Sequence, residues 1–271
     1  MLFNSIEFAI FLPVVFILYW FVFRRNIRLQ NILLITASYF FYGWWDYRFL
    51  SLIFISSLAD YIIGLKLYHA KRLKWRKLLL WSSLVINLAF LGFFKYYDFF
   101  MESLIEAFSS VGFHMHESSL RIILPVGISF YTFQTLSYTI DIYKRKIEPT
   151  RDVSAFFAFV SFFPQLVAGP IERASHLLPQ FLRQRVFNVT LAKDGLRQIL
   201  WGLFKKVVIA DNCAVFANQI FENSADMNGS TLVLGALFFA FQIYGDFSGY
   251  SDIAIGTSRL FGFNLMQNFA F

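Results

Sequence analysis

The feature that most constrains this chain is a succession of long apolar segments separated by short basic clusters. A helix needs about 20 mostly apolar residues to cross the hydrocarbon core of a bilayer, and the first segment, Leu2–Phe23, meets that requirement. Charged residues make up only 15% of the 271 residues and hydrophobic residues 58%. A water-soluble fold of this size would expose too much apolar surface. The chain is therefore predicted to be an integral membrane protein, which excludes a soluble enzyme, a disordered chain and a disulfide scaffold.

Eight segments are apolar enough to be membrane elements. They are Leu2–Phe23, Leu29–Trp45, Phe49–Leu67, Leu78–Phe100, Ile122–Tyr143, Val153–Pro170, Leu196–Phe221 and Thr231–Tyr244. The sixth contains prolines and a glycine, the seventh is interrupted by Lys205, Lys206 and Asp211, and the eighth runs into a Gly/Ser/Asp-rich stretch. The predicted fold class is all-α, a polytopic transmembrane helical bundle with re-entrant or broken helices. Residues 1–271 are predicted to form a single membrane domain.

The positions of Lys and Arg predict the orientation of the bundle. Basic clusters beginning at Arg24, Lys71 and Lys144 follow the first, third and fifth segments, whereas the connections between them are balanced or acidic. Short loops rich in Lys and Arg stay on the cytoplasmic side, so the N-terminus is predicted to lie outside. These basic loops also account for the net charge of +7. Their positive charge suits an anionic membrane face, so no nucleic-acid partner is expected.

The sixth segment, Val153–Pro170, breaks this alternation. A further basic stretch that begins at Arg173 follows it, although simple alternation would place that loop outside. A segment with two cytoplasmic flanks must enter the membrane and return on the same side. Non-helical backbone at membrane depth is tolerated only where protein or a wet cavity surrounds it. We therefore predict a re-entrant element here.

Polar groups inside apolar segments either pair with a neighbouring helix or serve a function. Asp60 has no partner close in sequence and is interpreted as a carboxylate bonded to a neighbouring helix, and Asn87 as an interhelical hydrogen-bonding residue. His176 could act as a base, but a surface or packing role is favoured because a base needs a positioned partner. The pair His114–His116 lacks the further ligands that a metal site requires, so no metal site is predicted.

Two stretches combine polar residues with helix breakers or glycines. In Ser161–Arg173, Pro and Gly release backbone groups that can face a ligand. In Gln242–Arg259, helical spacing places Tyr244, Ser248, Ser251, Asp252 and Ile255 on one face, with Asp246 off that face. Gly245, Gly249 and Gly256 would let a neighbouring backbone approach closely.

Close packing explains the glycines of the second stretch but not its two carboxylates and several hydroxyls. We therefore favour the interpretation that both stretches line a functional passage. The candidate lining residues are Pro164, Gln165, Gly169, Pro170, Tyr244, Asp246, Ser248, Tyr250, Ser251 and Asp252.

Four parts of the sequence resemble one family. Phe163–Ile171, Tyr244–Gly256, Leu124–Gln134 and the opening Met1–Ser5 are similar to segments of membrane-bound O-acyltransferases. The similarity is to the bacterial branch that includes the alginate O-acetyltransferase membrane subunit and the teichoic-acid D-alanyl transfer protein. The resemblance implies a multi-pass enzyme of the bacterial inner membrane with a passage through the bilayer.

The resemblance also implies the substrates. The donor would be a cytoplasmic acyl thioester such as acetyl-CoA, with no resident cofactor. The acceptor would be a cell-envelope polysaccharide, reached directly or through an extracytoplasmic acyltransferase- or esterase-type partner protein. Alginate, another exopolysaccharide, peptidoglycan and teichoic acid all remain open as acceptors.

Catalysis in this family depends on a membrane-embedded histidine. In this branch it follows a Trp-Arg-rich segment shortly after the region that matches 256–263, and none of the four histidines of this chain has that position. The expected histidine therefore lies beyond Phe271, and these residues are interpreted as the N-terminal part of a longer acyltransferase that does not turn over alone.

Two other interpretations stay open. Broken helices and intramembrane carboxylates also occur in transporters and flippases of envelope precursors, although no internal repeat is apparent. A purely structural membrane subunit is the second.

Overall fold

The computed structural model of the chain describes residues 1–110, 124–167 and 169–269. Within these ranges all regular structure is helical, so the all-α prediction is confirmed. The α-helices, in chain order, are α1 (Ile6–Ile17), α2 (Ile27–Asp46), α3 (Leu50–His69), α4 (Leu73–Ser110), α5 (Ile128–Tyr143), α6 (Val153–Val160), α7 (Phe163–Leu166), α8 (Ala174–Phe181), α9 (Val189–Leu203), α10 (Asp211–Glu222) and α11 (Gly229–Leu260). The pair His114–His116 and the start of the predicted span Ile122–Tyr143 lie outside the described residues.

The chain divides into two compact units. The first consists of Met1–Tyr47 together with Ser154–Phe271, and the second of Arg48–Val153. The first unit contains α1, α2 and α6 to α11, except for Val153 at the start of α6. The second unit contains α3, α4 and α5. The single membrane domain predicted from the sequence stays a prediction.

Three helical stretches are long and apolar enough to cross a membrane, judged by length and composition. They are Ile27–His69, Leu73–Ser110 and Gly229–Leu260. The stretch Ile27–His69 contains the two predicted spans Leu29–Trp45 and Phe49–Leu67, joined by a 3-10 turn at Tyr47–Phe49. These helices support the membrane assignment, whereas the orientation of the bundle stays a prediction.

The sixth predicted segment is broken, as its prolines and glycine indicate. Helix α6 ends at Val160, and α7 is only four residues long. The backbone N–H of Phe163 at the start of α7 donates to the hydroxyl of Ser38 in α2 at 3.0 Å, so a side chain satisfies one donor that the break leaves free. The broken helix is confirmed, and its re-entry from one side of the membrane stays a prediction.

The seventh and eighth segments are longer helices than the sequence indicates. The polar residues of the seventh do not interrupt it, because α9 continues through a π-helix at Phe204–Ala210 into α10. Helix α11 includes both the apolar segment Thr231–Tyr244 and the Gly/Ser/Asp-rich stretch. It begins after Asn228, whose side chain accepts from the Thr231 N–H at 2.9 Å. The two helices are joined through a short 3-10 turn at Ser224–Asp226.

In the second unit a buried carboxylate links three helices. Asp60 of α3 accepts hydrogen bonds from Ser83 and, at 2.7 Å, from the Asn87 amide, both in α4. The hydroxyl of Thr139 in α5 lies 3.3 Å from the same carboxylate. Asp60 is fully buried, so these donors replace water around it. The predictions for Asp60 and Asn87 are confirmed.

Candidate functional site

The candidate site lies in the first unit, where α9 and the following π-helix cross α11. Glycines of the two helices face each other. A Cβ atom added at Gly195 would lie 2.6 Å from the carbonyl oxygen of Gly256, and one added at Gly202 would lie 2.6 Å from the carbonyl oxygen of Gly249. The two backbones therefore touch at two points that are two helical turns apart, as the glycines of this stretch predict.

Lys205 supplies the first charge of the crossing. It lies in the π-helix Phe204–Ala210, a widened turn of a kind often found at functional sites. Its ammonium group contacts the Ser248 hydroxyl and a carboxylate oxygen of Asp252, both on α11. The other carboxylate oxygen of Asp252 accepts from the Gln198 amide at 3.0 Å. Both oxygens of Asp252 are thus held by groups from the opposite helix.

Lys206 supplies the second charge, one residue further along the π-helix. Its ammonium nitrogen lies 2.6 Å from a carboxylate oxygen of Asp246 on α11 and 2.6 Å from one of Asp211 at the start of α10. It also lies 5.7 Å from the ring centroid of Tyr250, whose hydroxyl is 3.4 Å from the side-chain oxygen of Asn4. Asp246 and Asp252 therefore pair with different lysines.

The predicted polar face of α11 is only partly buried. Ser248, Ser251 and Asp252 are buried, but Tyr244 is 52% exposed. The Ser251 hydroxyl is buried without a hydrogen-bond partner in the described residues. The face expected from Tyr244 to Ile255 is therefore buried only from Ser248 onwards.

The first polar stretch packs tightly beside α11. Pro164, Gln165 and Pro170 are buried. A Cβ atom added at Gly169 would lie 2.3 Å from the Cα atom of Gln165, so this turn requires glycine. The amide oxygen of Gln165 is buried and has no hydrogen-bond partner in the part of the chain that the structure describes. Such a group is a candidate to face a ligand.

His176 is paired and not isolated, which the sequence did not show. Its Nδ1 atom lies 2.9 Å from a carboxylate oxygen of Glu172, one turn earlier. The other oxygen of Glu172 accepts from the backbone N–H of Met266, in the segment that follows α11. Burial raises the pKa of the Glu172 carboxyl, and the bonds from Met266 and His176 partly oppose that shift.

Gln180 also bonds the segment that follows α11, at Asn264. Its amide donates to the carbonyl of Asn264 at 2.8 Å and accepts from the N–H of Asn264 at 2.8 Å. Two side chains of the α8 region therefore position the residues after α11.

Sequence reasoning missed the cations of the site. Lys205 and Lys206 were expected to interrupt a span, and Gln198 and Asp211 were not candidates. The signal was present, because a lysine inside an apolar helix needs an acidic partner. Chemically, the crossing offers fixed, paired charges and closely packed backbone. Its half-buried members are Gln198, Lys206, Asp211, Asp246 and Tyr250.

Nearly the whole chain is similar to curated O-acetyltransferases. The probable alginate O-acetylase of Pseudomonas putida is 40% identical over 271 residues, which cover 99% of this chain and 55% of that protein. The protein of the same name from Pseudomonas aeruginosa is 40% identical over 272 residues, which cover 99% of this chain and 51% of that protein. The peptidoglycan O-acetyltransferase of Helicobacter pylori is 36% identical over an alignment of 298 positions, which covers 99% of this chain and 56% of that protein.

No family model matches the chain. The chain spans about half the length of the curated relatives that it matches.

Proposed function

We propose that this chain belongs to the membrane-bound O-acyltransferase family and is the amino-terminal part of a membrane O-acetyltransferase. The enzyme would pass an acyl group from a cytoplasmic thioester to an extracytoplasmic acceptor. One observation carries this proposal, namely the 40% identity to alginate O-acetylases over 99% of the chain. The acyltransferase names of these relatives favour acyl transfer over the transporter and structural-subunit interpretations.

The donor in this proposal is acetyl-CoA or another acyl thioester on the cytoplasmic side of the bacterial inner membrane. The basic loops beginning at Lys71 and Lys144 would attract its phosphates. The acceptor is a polysaccharide such as alginate or peptidoglycan, reached directly or through an extracytoplasmic partner transferase. The catalytic histidine would come from the half that the relatives have in addition, and the present chain alone would not turn over.

The residues described here would hold the passage in shape. A histidine base is efficient when it and the thioester are fixed in one geometry away from water. The crossing of α9 and α11 provides a rigid element, because its backbones touch at the Gly195–Gly256 contact and its charges are paired. In this proposal Asp246 and Tyr250 lie on the side that faces the passage, where Lys206 contacts both. The pair of Asp252 with Lys205 fixes the neighbouring part of the crossing.

The test is an acetyl-transfer assay with membranes from two strains. One strain expresses the 271-residue chain, and the other expresses the longer reading frame that contains it. We expect transfer of labelled acetyl groups from acetyl-CoA to alginate or peptidoglycan only with the longer protein.

Asp252→Asn and Tyr250→Phe in the longer protein should each lower transfer by about tenfold or more while membrane insertion is retained. The exposed Asp226→Asn, in the turn between α10 and α11, serves as the matched control. Unchanged transfer in both site variants would remove these residues from the site. Movement of an envelope precursor without acetyl transfer by the unaltered longer protein would favour the transporter interpretation instead.

A further inference from the structure

We propose that a polar pocket in the second unit binds the headgroup of a zwitterionic phospholipid, with two arginines on its phosphate and a glutamate on its ammonium group. The pocket has a volume of about 370 Å³. Its lining residues are Tyr68, Arg76, Ile142, Arg145, Ile147 and Glu148. Lipid binding at this pocket does not depend on acyl transfer, although Arg145 belongs to the basic loop that begins at Lys144.

The pocket lies where three helix ends meet. Tyr68 is in the last turn of α3, Arg76 is in the first turns of α4, and Ile142 is in the last turn of α5. Two of these ends terminate the candidate membrane spans Ile27–His69 and Leu73–Ser110. The ends of membrane helices lie at the level of the lipid headgroups, and the adjacent loops carry the basic clusters that predict the cytoplasmic face.

Arg76 is held so that part of its guanidinium group faces the pocket. One of its terminal nitrogens donates to the backbone carbonyl of Tyr143, and the guanidinium carbon lies 5.2 Å from the centroid of the Tyr143 ring. A guanidinium fixed in this way suits a phosphate oxygen, because its planar N–H groups match the phosphate geometry.

Arg145 brings the second guanidinium from a constrained backbone position. It follows α5 with a φ of 57°, in the left-handed region. Its N–H bonds to the carbonyl of Ile142 at 3.0 Å, and the N–H of Lys146 bonds to the carbonyl of Asp141 at 2.9 Å. These bonds close the end of α5 and fix the direction in which the chain carries Arg145 along the pocket.

Glu148 decides between a simple anion and a zwitterion. A carboxylate beside two guanidinium groups would repel a second anion. The Tyr68 hydroxyl donates to one oxygen of Glu148 at 2.8 Å, which keeps the carboxylate at the pocket. An ammonium group next to a phosphate would meet Glu148 while the phosphate meets Arg76 and Arg145. The headgroup of phosphatidylethanolamine has both groups, and its ammonium can donate hydrogen bonds, whereas phosphatidylglycerol lacks the cation.

The test measures lipid binding to the purified chain by native mass spectrometry in detergent. The probes are phosphatidylethanolamine and phosphatidylglycerol with the same acyl chains. We expect about tenfold tighter binding of phosphatidylethanolamine, as one additional charge-assisted hydrogen bond gives. Arg76→Gln and Arg145→Gln should weaken both lipids by about tenfold. Glu148→Gln should remove the preference for phosphatidylethanolamine without weakening phosphatidylglycerol.

Exposed basic residues outside the pocket provide the control. Arg72→Gln and Lys74→Gln should leave the binding of both lipids unchanged. Tyr68→Phe removes only the tether of Glu148 and should reduce the preference in part, which keeps the proposal testable if Glu148→Gln does not fold. Equal binding of both lipids to the unaltered chain would overturn the proposal. So would displacement of the lipid by millimolar inorganic phosphate, which would identify a site for soluble phosphate instead.

Discussion

The ammonium group of Lys205 contacts the carboxylate of Asp252 across the crossing of the π-helix and α11, with side chains only 10% and 9% exposed. Ser248 and Gln198 bond the same two groups. A buried ion pair is stable only when complete, because removing one partner leaves the other charge without water or counter-charge. The two helices therefore depend on each other for charge as well as for packing.

Lys205→Met or Asp252→Leu alone should lower the free energy of unfolding by about 3–5 kcal/mol, because each leaves one buried charge unpaired. The double variant should recover much of that loss, since both charges are then gone. The measurement is thermal unfolding of the purified chain in detergent.

The pair between Arg259 and Asp194 provides a matched control on the same two helices. It is more exposed, with side chains at 27% and 56%, so Asp194→Asn should cost less than about 1 kcal/mol. An equal loss at both pairs would show that burial of the Lys205 pair does not set its contribution.

Gly256→Ala should destabilise the first unit, because the added Cβ would lie 2.4 Å from the carbonyl oxygen of Gly195. Overpacking of this kind costs about 1–3 kcal/mol. Gly92→Ala is the control, since a Cβ there meets nothing within 4 Å and alanine is favoured over glycine in helices by about 0.5–1 kcal/mol. The measurement is the melting temperature of each variant in detergent. A Gly256→Ala protein as stable as Gly92→Ala would contradict the close contact between Gly256 and Gly195.

The pH dependence of stability should contain a contribution from Glu172. Burial raises the pKa of its carboxyl above the ordinary value of 4.5, so the folded state binds this proton more tightly than the unfolded state. The contribution is therefore fully present at low pH and is lost as the pH rises through the folded pKa. Glu172→Gln should remove this loss, because its amide stays neutral and can still accept from the Met266 N–H.

Melting temperatures measured between about pH 4 and 8 test this expectation. Glu222→Gln, at an exposed glutamate, should keep the pH profile of the unaltered chain. The role of Glu172 is disproved if its variant also keeps that profile.

Cysteine labelling should place both flanks of Val153–Pro170 on the cytoplasmic side. Gln184 is exposed and suits the label, whereas Ala174 is fully buried. In a Cys213→Ser background, Gln184→Cys and the loop control Lys146→Cys should both react only when a membrane-impermeant maleimide reaches the cytoplasmic face. If position 184 alone were labelled from outside, Val153–Pro170 would be a full span and not a re-entrant element.

Much of the helical plan could be predicted from local patterns. Long apolar segments identified most of the helices, the prolines of Val153–Pro170 predicted its break, and the spacing of Gly249 and Gly256 predicted close packing. The resemblance to membrane-bound O-acyltransferases is confirmed by the relatives. These inferences succeed because periodicity, helix breakers and glycine act within one segment of sequence.

The partners across the crossing could not be predicted in the same way. Helical spacing groups Ser248 with Asp252, but it does not show that Lys205 faces them. That placement depends on the π-helix Phe204–Ala210, which contains Lys205 and shifts the register of the residues that follow it in α10. Tyr244 was placed on one face with Ser248 and Asp252, but it is exposed whereas they are buried, because burial depends on where the neighbouring elements end. The lining role of the candidate residues stays a prediction.

The two glycine contacts have a mechanical consequence. With Gly195 against Gly256 and Gly202 against Gly249, each backbone blocks translation of the other along its axis, since any shift would drive a larger side chain into a carbonyl oxygen. Helices α9 and α11 must therefore tilt or rotate together as one rigid unit. Any gating movement in this unit has to pivot at its turns and broken helices.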